Sequence, residues 1–330
     1  MKKFIRFSLG VSIASFFIWL CLKNIDFNLL LTICSEANIS LIACATVLFF
    51  VGYSCRIERW RLMLVRDNTN LKWSECILPF ITSIATNNVV PFRAGDLLRA
   101  FGFNDKLGVS AATSITSLLV ERLLDLLMVM MFLAIALASF DLESTSIVGV
   151  GRNFLVACVI LILALLLFPN LIKPITFKIN SILCRMLPRI GLLISKELSK
   201  IFLALEHTSN KNTMIKLIVW SFLSWLLEGL VFWFVAFSIP TISNDLGAWI
   251  ALPLGTLATI LPSTPGYVGT FDYFTAHAMT SVGNSLPSST VYAFMVHTVL
   301  WLPPTIFGGL LYLCTKIFRV GSPSSTKLSS

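Results

Sequence analysis

The chain has 330 residues, of which 56% are hydrophobic and 12% are charged. Soluble domains carry about 25% charged residues, so this composition excludes a soluble protein and indicates an integral membrane protein. We attribute the formal net charge of +9 to contacts with the membrane surface, because Lys and Arg collect on the cytoplasmic side of membrane proteins, where they attract anionic lipids. We expect no nucleic-acid partner.

The eight cysteines lie mostly in or beside apolar segments, and none forms a CxxC pair. This spacing indicates neither a metal site nor a disulfide framework. We therefore expect no metal ion and no other cofactor, and we interpret the cysteines as small apolar side chains.

Long apolar segments predict the membrane spans, because a helix needs about 20 such residues to cross the hydrocarbon core. The first has the basic start of a signal peptide but no small-x-small cleavage site, so we expect a retained helix. Two further apolar regions, 76–107 and 247–283, are interrupted, the second by PSTPGYVG at 262–269. The uninterrupted segments are residues 4–22, 39–55, 111–139, 153–170, 216–238 and 290–315.

Lys and Arg precede the first span, follow the second, and are frequent in residues 171–215, which places these regions and both termini in the cytoplasm. Region 76–107 then starts and ends inside, which predicts a re-entrant hairpin. By the same parity region 247–283 starts and ends outside, either as a hairpin or as two crossings, and its short arms favour the hairpin.

The predicted fold is an all-α polytopic membrane protein with about six full transmembrane helices and two re-entrant helical hairpins. Both halves of this single membrane domain, 1–140 and 153–316, have the order span, span, hairpin, span. Three crossings per half would insert the second half upside down. Such inverted-topology repeats place the substrate at interrupted helices near the bilayer midplane. The alternative is that the two interruptions are unrelated.

Charged residues inside predicted spans are the first candidates for a functional site, because an ionised side chain at mid-bilayer costs about 2.5–3.5 kcal/mol. Glu121 and Asp125 are four residues apart and share one helix face, with Arg122 beside them. The alternative is an ion-pair cluster that joins a hairpin to this helix, with Arg93 or Arg99 paired to Glu121.

The two interruptions are the other candidates, because helix N-termini and free N–H groups favour an anion. Arg93 adds a planar, permanently charged donor suited to phosphate. Asp96 and Asp272 follow the breaks at similar offsets and could cap a helix or bind a ligand. The complete set of candidate binding residues is Arg93, Gly95, Asp96, Arg99, Glu121, Arg122, Asp125, Glu228, Pro265, Gly266, Gly269 and Asp272.

Other features have simpler interpretations. The stretch CRIERWRLML at 55–64 is typical of an interfacial anchor. His277 and His297 are isolated in the sequence, and we interpret them as packing residues. Region 171–215 predicts amphipathic helices on the cytoplasmic leaflet, broken near Pro188. The Ser-rich tail, 320–330, is expected to be disordered.

Four segments in order, CRIERWRLML, NNVVPFRAGDLLRAF, LLVERLLDLL and LPSTPGYVGTFD, resemble the membrane domain of lysylphosphatidylglycerol synthases, a flippase-like family. The resemblance covers essentially the whole chain. It implies a helical bundle with re-entrant segments that moves a lipid with an anionic or modified headgroup between leaflets. The soluble synthase domain has no counterpart in these residues, so aminoacyl transfer is not expected. The resemblance implies three blocks of site residues. The first contains Arg93, Gly95, Asp96 and Arg99, the second Glu121, Arg122 and Asp125, and the third Pro265, Gly266 and Gly269.

We therefore expect a lipid flippase of the cytoplasmic (inner) membrane rather than an enzyme. Its substrate would be a phospholipid or polyprenyl-phosphate lipid whose phosphate is held by Arg93. One alternative is a membrane-embedded transferase with Glu121 or Asp125 as general base, although no nucleotide, metal or nucleophile motif is found. The other is a non-catalytic partner of a lipid- or glycan-modifying enzyme, docked through 171–215.

Overall fold

The computed structural model describes residues 12, 15–23, 26–90, 93–139, 146–208, 211–261 and 264–320. The described residues form helices joined by short turns, without a β-strand. Pro91, Pro262 and the predicted tail beyond residue 320 lie outside these ranges. The helices are α1 Ser15–Leu22, α2 Phe27–Glu36, α3 Ile39–Leu64, α4 Trp73–Val89, α5 Ala94–Phe101, α6 Asn104–Leu107, α7 Ala111–Ser139, α8 Ser146–Leu167, α9 Pro169–Met186, α10 Pro188–Thr208, α11 Lys211–Phe237, α12 Ala248–Ala258, α13 Thr270–Thr280 and α14 Leu286–Val320, with 3₁₀ turns at Asp245–Gly247 and Pro265–Tyr267.

Hydropathy and length identify the helices that cross the membrane. In the described part of the chain, α3, α11 and α14 are each long and apolar enough, and the pairs α1–α2 and α8–α9 meet the same criterion with bends of 85° and 118°, which gives three to five candidate spans. Helix α7 is not among these, but its 29 residues would extend about 43 Å. The chain is an all-α polytopic membrane protein. The predicted spans 39–55 and 290–315 lie within α3 and α14, span 216–238 lies in α11 up to Phe237, span 111–139 is α7, and span 153–170 lies mostly in α8; only part of span 4–22 falls within the described ranges.

The centre of the protein is the pair α3 and α11, which pack along their lengths. Small residues form this contact: a Cβ built on Gly52 would lie 3.6 Å from the carbonyl oxygen of Ser224, and Ser221 is also fully buried. Small side chains let membrane helices approach closely, and close approach replaces the hydrophobic driving force that lipid removes.

Both interrupted regions are helical hairpins in the structure. In the first, Val90 is extended, as expected for a residue before proline, so α4 ends at Val89 and α5 folds back against it. In the second, α12 packs against α13. Whether either hairpin is re-entrant stays a prediction.

Each hairpin packs against a helix of the opposite half. Helix α4 packs on α14, and α12 packs on α7; α13 packs on α14, and α5 on α7. The two halves therefore make equivalent contacts: α4 on α14 corresponds to α12 on α7, and α5 on α7 corresponds to α13 on α14. The predicted inverted repeat would require this equivalence. The repeat itself stays a prediction.

Two predictions about basic segments have different outcomes. Region 171–215 contains two helices, α9 and α10, which meet at Leu187 beside Pro188, as predicted. The interpretation of CRIERWRLML as an interfacial anchor is wrong for Arg59, because α3 continues to Leu64 and Arg59 is 1% exposed inside the helix bundle. Helical continuation puts Arg56 and Arg59 on the faces of α3 that meet acidic residues of α7 and α11.

Gly95→Ala should destabilise the protein by about 1–3 kcal/mol or more, because such overpacking forces the backbone apart. A Cβ at this position would lie 1.9 Å from the carbonyl oxygen of Ser83 and would push α5 off α4. Gly309→Ala is the matched control, since its Cβ would meet nothing within 4 Å. Thermal unfolding in detergent measures both; equal unfolding temperatures would contradict this packing of the hairpin.

Candidate functional site

A cavity of about 400 Å³ lies where the two hairpin breaks meet α3, α7, α11 and α14. Its wall combines charged, aromatic and apolar side chains. The residues around it are Tyr53, Arg56, Ile84, Asn87, Asn88, Arg93, Arg122, Asp125, Leu126, Val129, Trp225, Glu228, Thr256, Leu257, Thr259, Ile260, Gly266, Tyr267, Phe271, His297, Leu300 and Trp301.

Behind the cavity, a buried ion-pair network joins α3, α5 and α7. Arg99 Nη2 donates to both carboxylate oxygens of Glu121, at 2.9 and 3.1 Å, and Arg59 Nη1 donates to Asp125 Oδ1 at 2.8 Å. The Arg99 guanidinium also packs against the rings of Trp60 and Phe80. Of the two predicted partners for Glu121, Arg99 is therefore the one observed, and this pair ties the first hairpin to α7.

Arg122 extends the network to the cavity surface. Its Nη2 donates to Asp96 Oδ2 at 3.0 Å, and its Nη1 lies 3.7 Å from Asp125 Oδ2. Trp225 Nε1 donates to Asp125 Oδ1 at 3.2 Å, so Asp125 accepts hydrogen bonds from both α3 and α11. Glu121 and Asp125 share one face of α7, as their spacing predicts.

Arg56 and Glu228 form a salt bridge across the α3–α11 interface, at the wall of the cavity. Arg56 also lies against the rings of Tyr53 and Trp225. The sequence places Glu228 among the candidates but gives no sign of its partner, which is 172 positions away in the chain.

Arg93 is the exposed residue at the break of the first hairpin, and it faces the cavity. Its Nε donates to the hydroxyl oxygen of Tyr267, from the break of the second hairpin, at 3.1 Å. Arg93 and Tyr267 have φ of 52° and 60°, and no other non-glycine residue of the described ranges has a positive φ. Left-handed backbone is strained for such residues, and this kind of strain concentrates at functional sites.

Asn87, rather than Arg93, caps α5. Its Oδ1 accepts from the N–H groups of Gly95 and Asp96 at 2.8 and 3.3 Å, and its Nδ2 donates to Asp96 Oδ1 at 2.9 Å. These two helix N-terminal donors are thereby satisfied inside the protein. The charge available to a ligand at this break is the Arg93 guanidinium.

At the second break, Asp272 caps its helix, because its Oδ2 accepts from Gly269 N–H at 2.8 Å. Its other oxygen, Oδ1, lies 2.7 Å from His297 Nδ1. The tip packs tightly on α14: a Cβ on Gly266 would come within 2.7 Å of Trp301 Nε1, so only glycine fits there. The interpretation of His297 as an isolated packing residue is therefore wrong.

The cavity brings together part of the predicted set: Arg93, Arg122, Asp125, Glu228 and Gly266 line it. The remaining candidates do not line it, namely Gly95, Asp96, Arg99, Glu121, Pro265, Gly269 and Asp272. Sequence reasoning missed several lining residues, among them Tyr53, Arg56, Asn87, Tyr267 and His297. Only Asn87 and Asn88, in NNVV, had a local sequence signal for a place in the site: two adjacent polar side chains end an otherwise apolar helix.

Metal chemistry gains no support from the described residues, which contain no group of three or more His, Cys, Asp and Glu side chains arranged to hold an ion.

The fold and the cavity define a polytopic helical membrane protein with a charged site between two interrupted hairpins. A family model for the lysylphosphatidylglycerol synthase TM region matches residues 7–308, so the chain belongs to that family. It is also similar to the UPF0104 membrane protein MJ1078 of Methanocaldococcus jannaschii, with 23% identity over 247 residues, covering 73% of this chain and 98% of the relative.

Glu121→Gln should destabilise the protein by about 3–5 kcal/mol, because removing one partner of a buried ion pair leaves the other charge uncompensated. Glu121 is 5% exposed, and both of its carboxylate oxygens accept from Arg99 Nη2. Glu58→Gln is the control: Glu58 pairs with Arg61 outside this network, and its loss should cost about 1 kcal/mol. Unfolding temperatures in detergent compare the two, and an equal decrease would argue against the network as the main tie.

Proposed function

We propose that the protein is a lipid flippase, which moves a lipid with an anionic phosphate headgroup between membrane leaflets. Phospholipids and polyprenyl-phosphate-linked lipids share this chemistry. In the proposal the phosphate binds Arg93 in the cavity between the two hairpin breaks, and the lipid is moved without being chemically changed.

The observation that carries the proposal is the pairing state of Arg93. Two other arginines line the cavity, Arg56 and Arg122, and two lie behind it, Arg59 and Arg99; each of the four is within 4 Å of a carboxylate oxygen. Among the described residues, no carboxylate pairs with Arg93; its one hydrogen bond is donated to a neutral hydroxyl. A guanidinium with two free nitrogens beside a cavity is suited to bidentate binding of a phosphate.

The formal charge of the cavity wall supports an anionic ligand. Three guanidinium groups, those of Arg56, Arg93 and Arg122, face two carboxylates, those of Asp125 and Glu228. Since Arg56 and Arg122 are paired to carboxylates, the excess positive charge lies on Arg93.

The apolar part of the wall supports a lipid rather than a small soluble anion. Leu126, Val129 and Leu300 line the cavity beside the charges, and Ile260 on its rim is 74% exposed. An exposed apolar rim lets a hydrocarbon chain stay in the bilayer while its headgroup enters the site. The contact between Arg93 and Tyr267 joins the two breaks, and its opening and closing would expose the site alternately.

The proposal places the chain in the cytoplasmic membrane with both termini in the cytoplasm. The basic and apolar residues of α9 and α10 support this orientation, because polybasic segments bind the anionic inner leaflet. A lipid- or glycan-modifying enzyme that makes or uses the lipid is the proposed partner.

Native mass spectrometry of the protein, extracted gently from its own membrane, tests the proposal. Wild type should retain a phosphate-headgroup lipid, and Arg93→Gly should lose it by at least about tenfold, because hydrogen bonds to charged groups contribute about 1.5–3 kcal/mol. Glycine suits the left-handed backbone of this position, so the variant should unfold at a temperature close to that of wild type.

Lys106→Ala is the matched control, since it removes a positive charge from an exposed side chain away from the cavity. It should leave lipid retention unchanged. Equal retention by wild type and Arg93→Gly would refute the assignment of the phosphate to Arg93.

A further inference from the structure

His297 makes two hydrogen bonds that together require an additional proton. Its Nδ1 lies 2.7 Å from Asp272 Oδ1, and its Nε2 lies 2.8 Å from the carbonyl oxygen of Gly266. A backbone carbonyl can only accept, and an ionised carboxylate can only accept. A neutral imidazole carries a single N–H, so it can donate to one of these partners and not to both.

Two proton arrangements satisfy both contacts. Either His297 is an imidazolium and Asp272 is ionised, or His297 donates from Nε2 while a protonated Asp272 donates to Nδ1. Both contain one proton more than an ionised carboxylate beside a neutral imidazole. The two groups therefore bind this proton as a unit.

The position of the pair gives the proton a route. His297 lines the cavity with a side chain 13% exposed, whereas Asp272 is 1% exposed and is fixed by its bond to Gly269 N–H. The edge of the Phe271 ring closes the side of the imidazole, with ring centroids 5.1 Å apart. A proton can reach the pair from cavity water, through His297.

The other charged and titratable groups around the pair come from several elements. Cys21 of α1 is close enough to interact electrostatically with Asp272, and Tyr267 belongs to the same hairpin tip as Gly266. The remaining groups share the cavity with His297: Tyr53 and Arg56 of α3, Arg93 before α5, Arg122 and Asp125 of α7, and Glu228 of α11. The carboxylates of this second set are paired to arginines, so the pair that lacks a permanent cation is Asp272–His297.

The first hairpin has a counterpart that is always charged. There, Asp96 in the first turn of α5 binds Arg122 of α7; here, Asp272 in the first turn of α13 binds His297 of α14. Arginine stays protonated at every physiological pH, whereas histidine changes charge near neutrality. One hairpin is therefore fixed to its helix by a permanent cation, and the other by a cation that can be discharged.

We infer that the Asp272–His297 pair is a proton-binding site that controls the attachment of the second hairpin tip to α14. With the proton bound, Nε2–H holds the Gly266 carbonyl. When Nε2–H gives its proton to cavity water, the nitrogen lone pair faces the carbonyl oxygen, and the tip is repelled from α14. From the imidazolium form no other bond changes. From the form with a protonated Asp272, the carboxyl proton passes to Nδ1 in the same step, so both forms end as a neutral imidazole beside an ionised carboxylate.

Release of the tip would act on the phosphate site, because Tyr267 follows Gly266 and accepts the hydrogen bond from Arg93. This part of the inference rests on the function proposed above: binding and release of the proton would accompany the movement of the lipid. Trp301 provides a second connection, since it packs on Gly266 and its Nε1 donates to the carbonyl oxygen of Asn88 in the first hairpin.

Nitrogen NMR of ¹⁵N-histidine-labelled protein in lipid nanodiscs tests the inference directly. The chain has three histidines, so the signals of His207 and His277 can be assigned with Gln variants of those two residues, and His297 is then measured in the unmodified site. At pH 6 a proton should be found on Nε2, with Nδ1 protonated or hydrogen-bonded to a carboxylic acid. Raising the pH to 9 should leave Nε2 unprotonated.

Hydrogen–deuterium exchange at one fixed pH supplies the second measurement. His297→Gln should speed exchange in residues 264–270 by about tenfold, the effect of losing a hydrogen bond from a charged group, and leave α4 unchanged. His297→Arg, which keeps a cation at this position, should stay closer to wild type.

An Nε2 that carries no proton at any pH from 5 to 9 would overturn the inference, as would a protonation state that never changes over that range. Both results leave the lipid proposal standing if native mass spectrometry still finds a lipid that depends on Arg93. If His297 titrates as expected but no phosphate-headgroup lipid is bound, the proton site holds and the proposed substrate class fails.

Discussion

Charged side chains within a membrane must be paired or hydrated, and the helices of this protein are arranged around that requirement. Arg59, Arg99, Glu121 and Asp125 come from three helices, α3, α5 and α7, and each finds an opposite charge in another helix. An unpaired member would incur the insertion penalty of a buried ion, so the three helices are held in one relative arrangement. The first hairpin, which has only eight residues in its second arm, depends on this network for its position.

Because each buried arginine of this network lies beside a carboxylate, the cavity arginine without a carboxylate partner among the described residues is easily recognised. Arg93 stands on strained backbone at the break, held by a single bond to Tyr267 of the other hairpin. Asn87 takes up the helix N-terminal donors, and Gly95 lets α5 pack against α4, so the guanidinium is directed into the cavity by the hairpin itself. The same geometry makes the contact between the two breaks sensitive to either hairpin.

The sequence predicted α7 well, because a long apolar helix depends on local composition: it was expected at 111–139 and is observed at Ala111–Ser139. It also predicted that Glu121 and Asp125 share a face, since helical spacing alone decides this. It did not predict α2, and it ended the second span at residue 55, whereas α3 continues to Leu64. It could not predict that Arg56 meets Glu228, or that His297 meets Asp272, because these partners are brought together only by helix packing. CRIERWRLML was misinterpreted for the same reason: arginines after an apolar run are typical of a membrane interface, and burial of Arg59 requires the acidic residues of α7.

The central claim is that Arg93 in this cavity passes a phosphate-headgroup lipid across the membrane. The most direct measurement is leaflet exchange of a fluorescent anionic phospholipid in proteoliposomes, with wild type and Arg93→Gly reconstituted at equal density. The account predicts rapid exchange with wild type and exchange at the rate of protein-free vesicles with the variant. Equal exchange by both proteins would contradict it, since the lipid would then cross without the one cavity cation that has no carboxylate partner among the described residues.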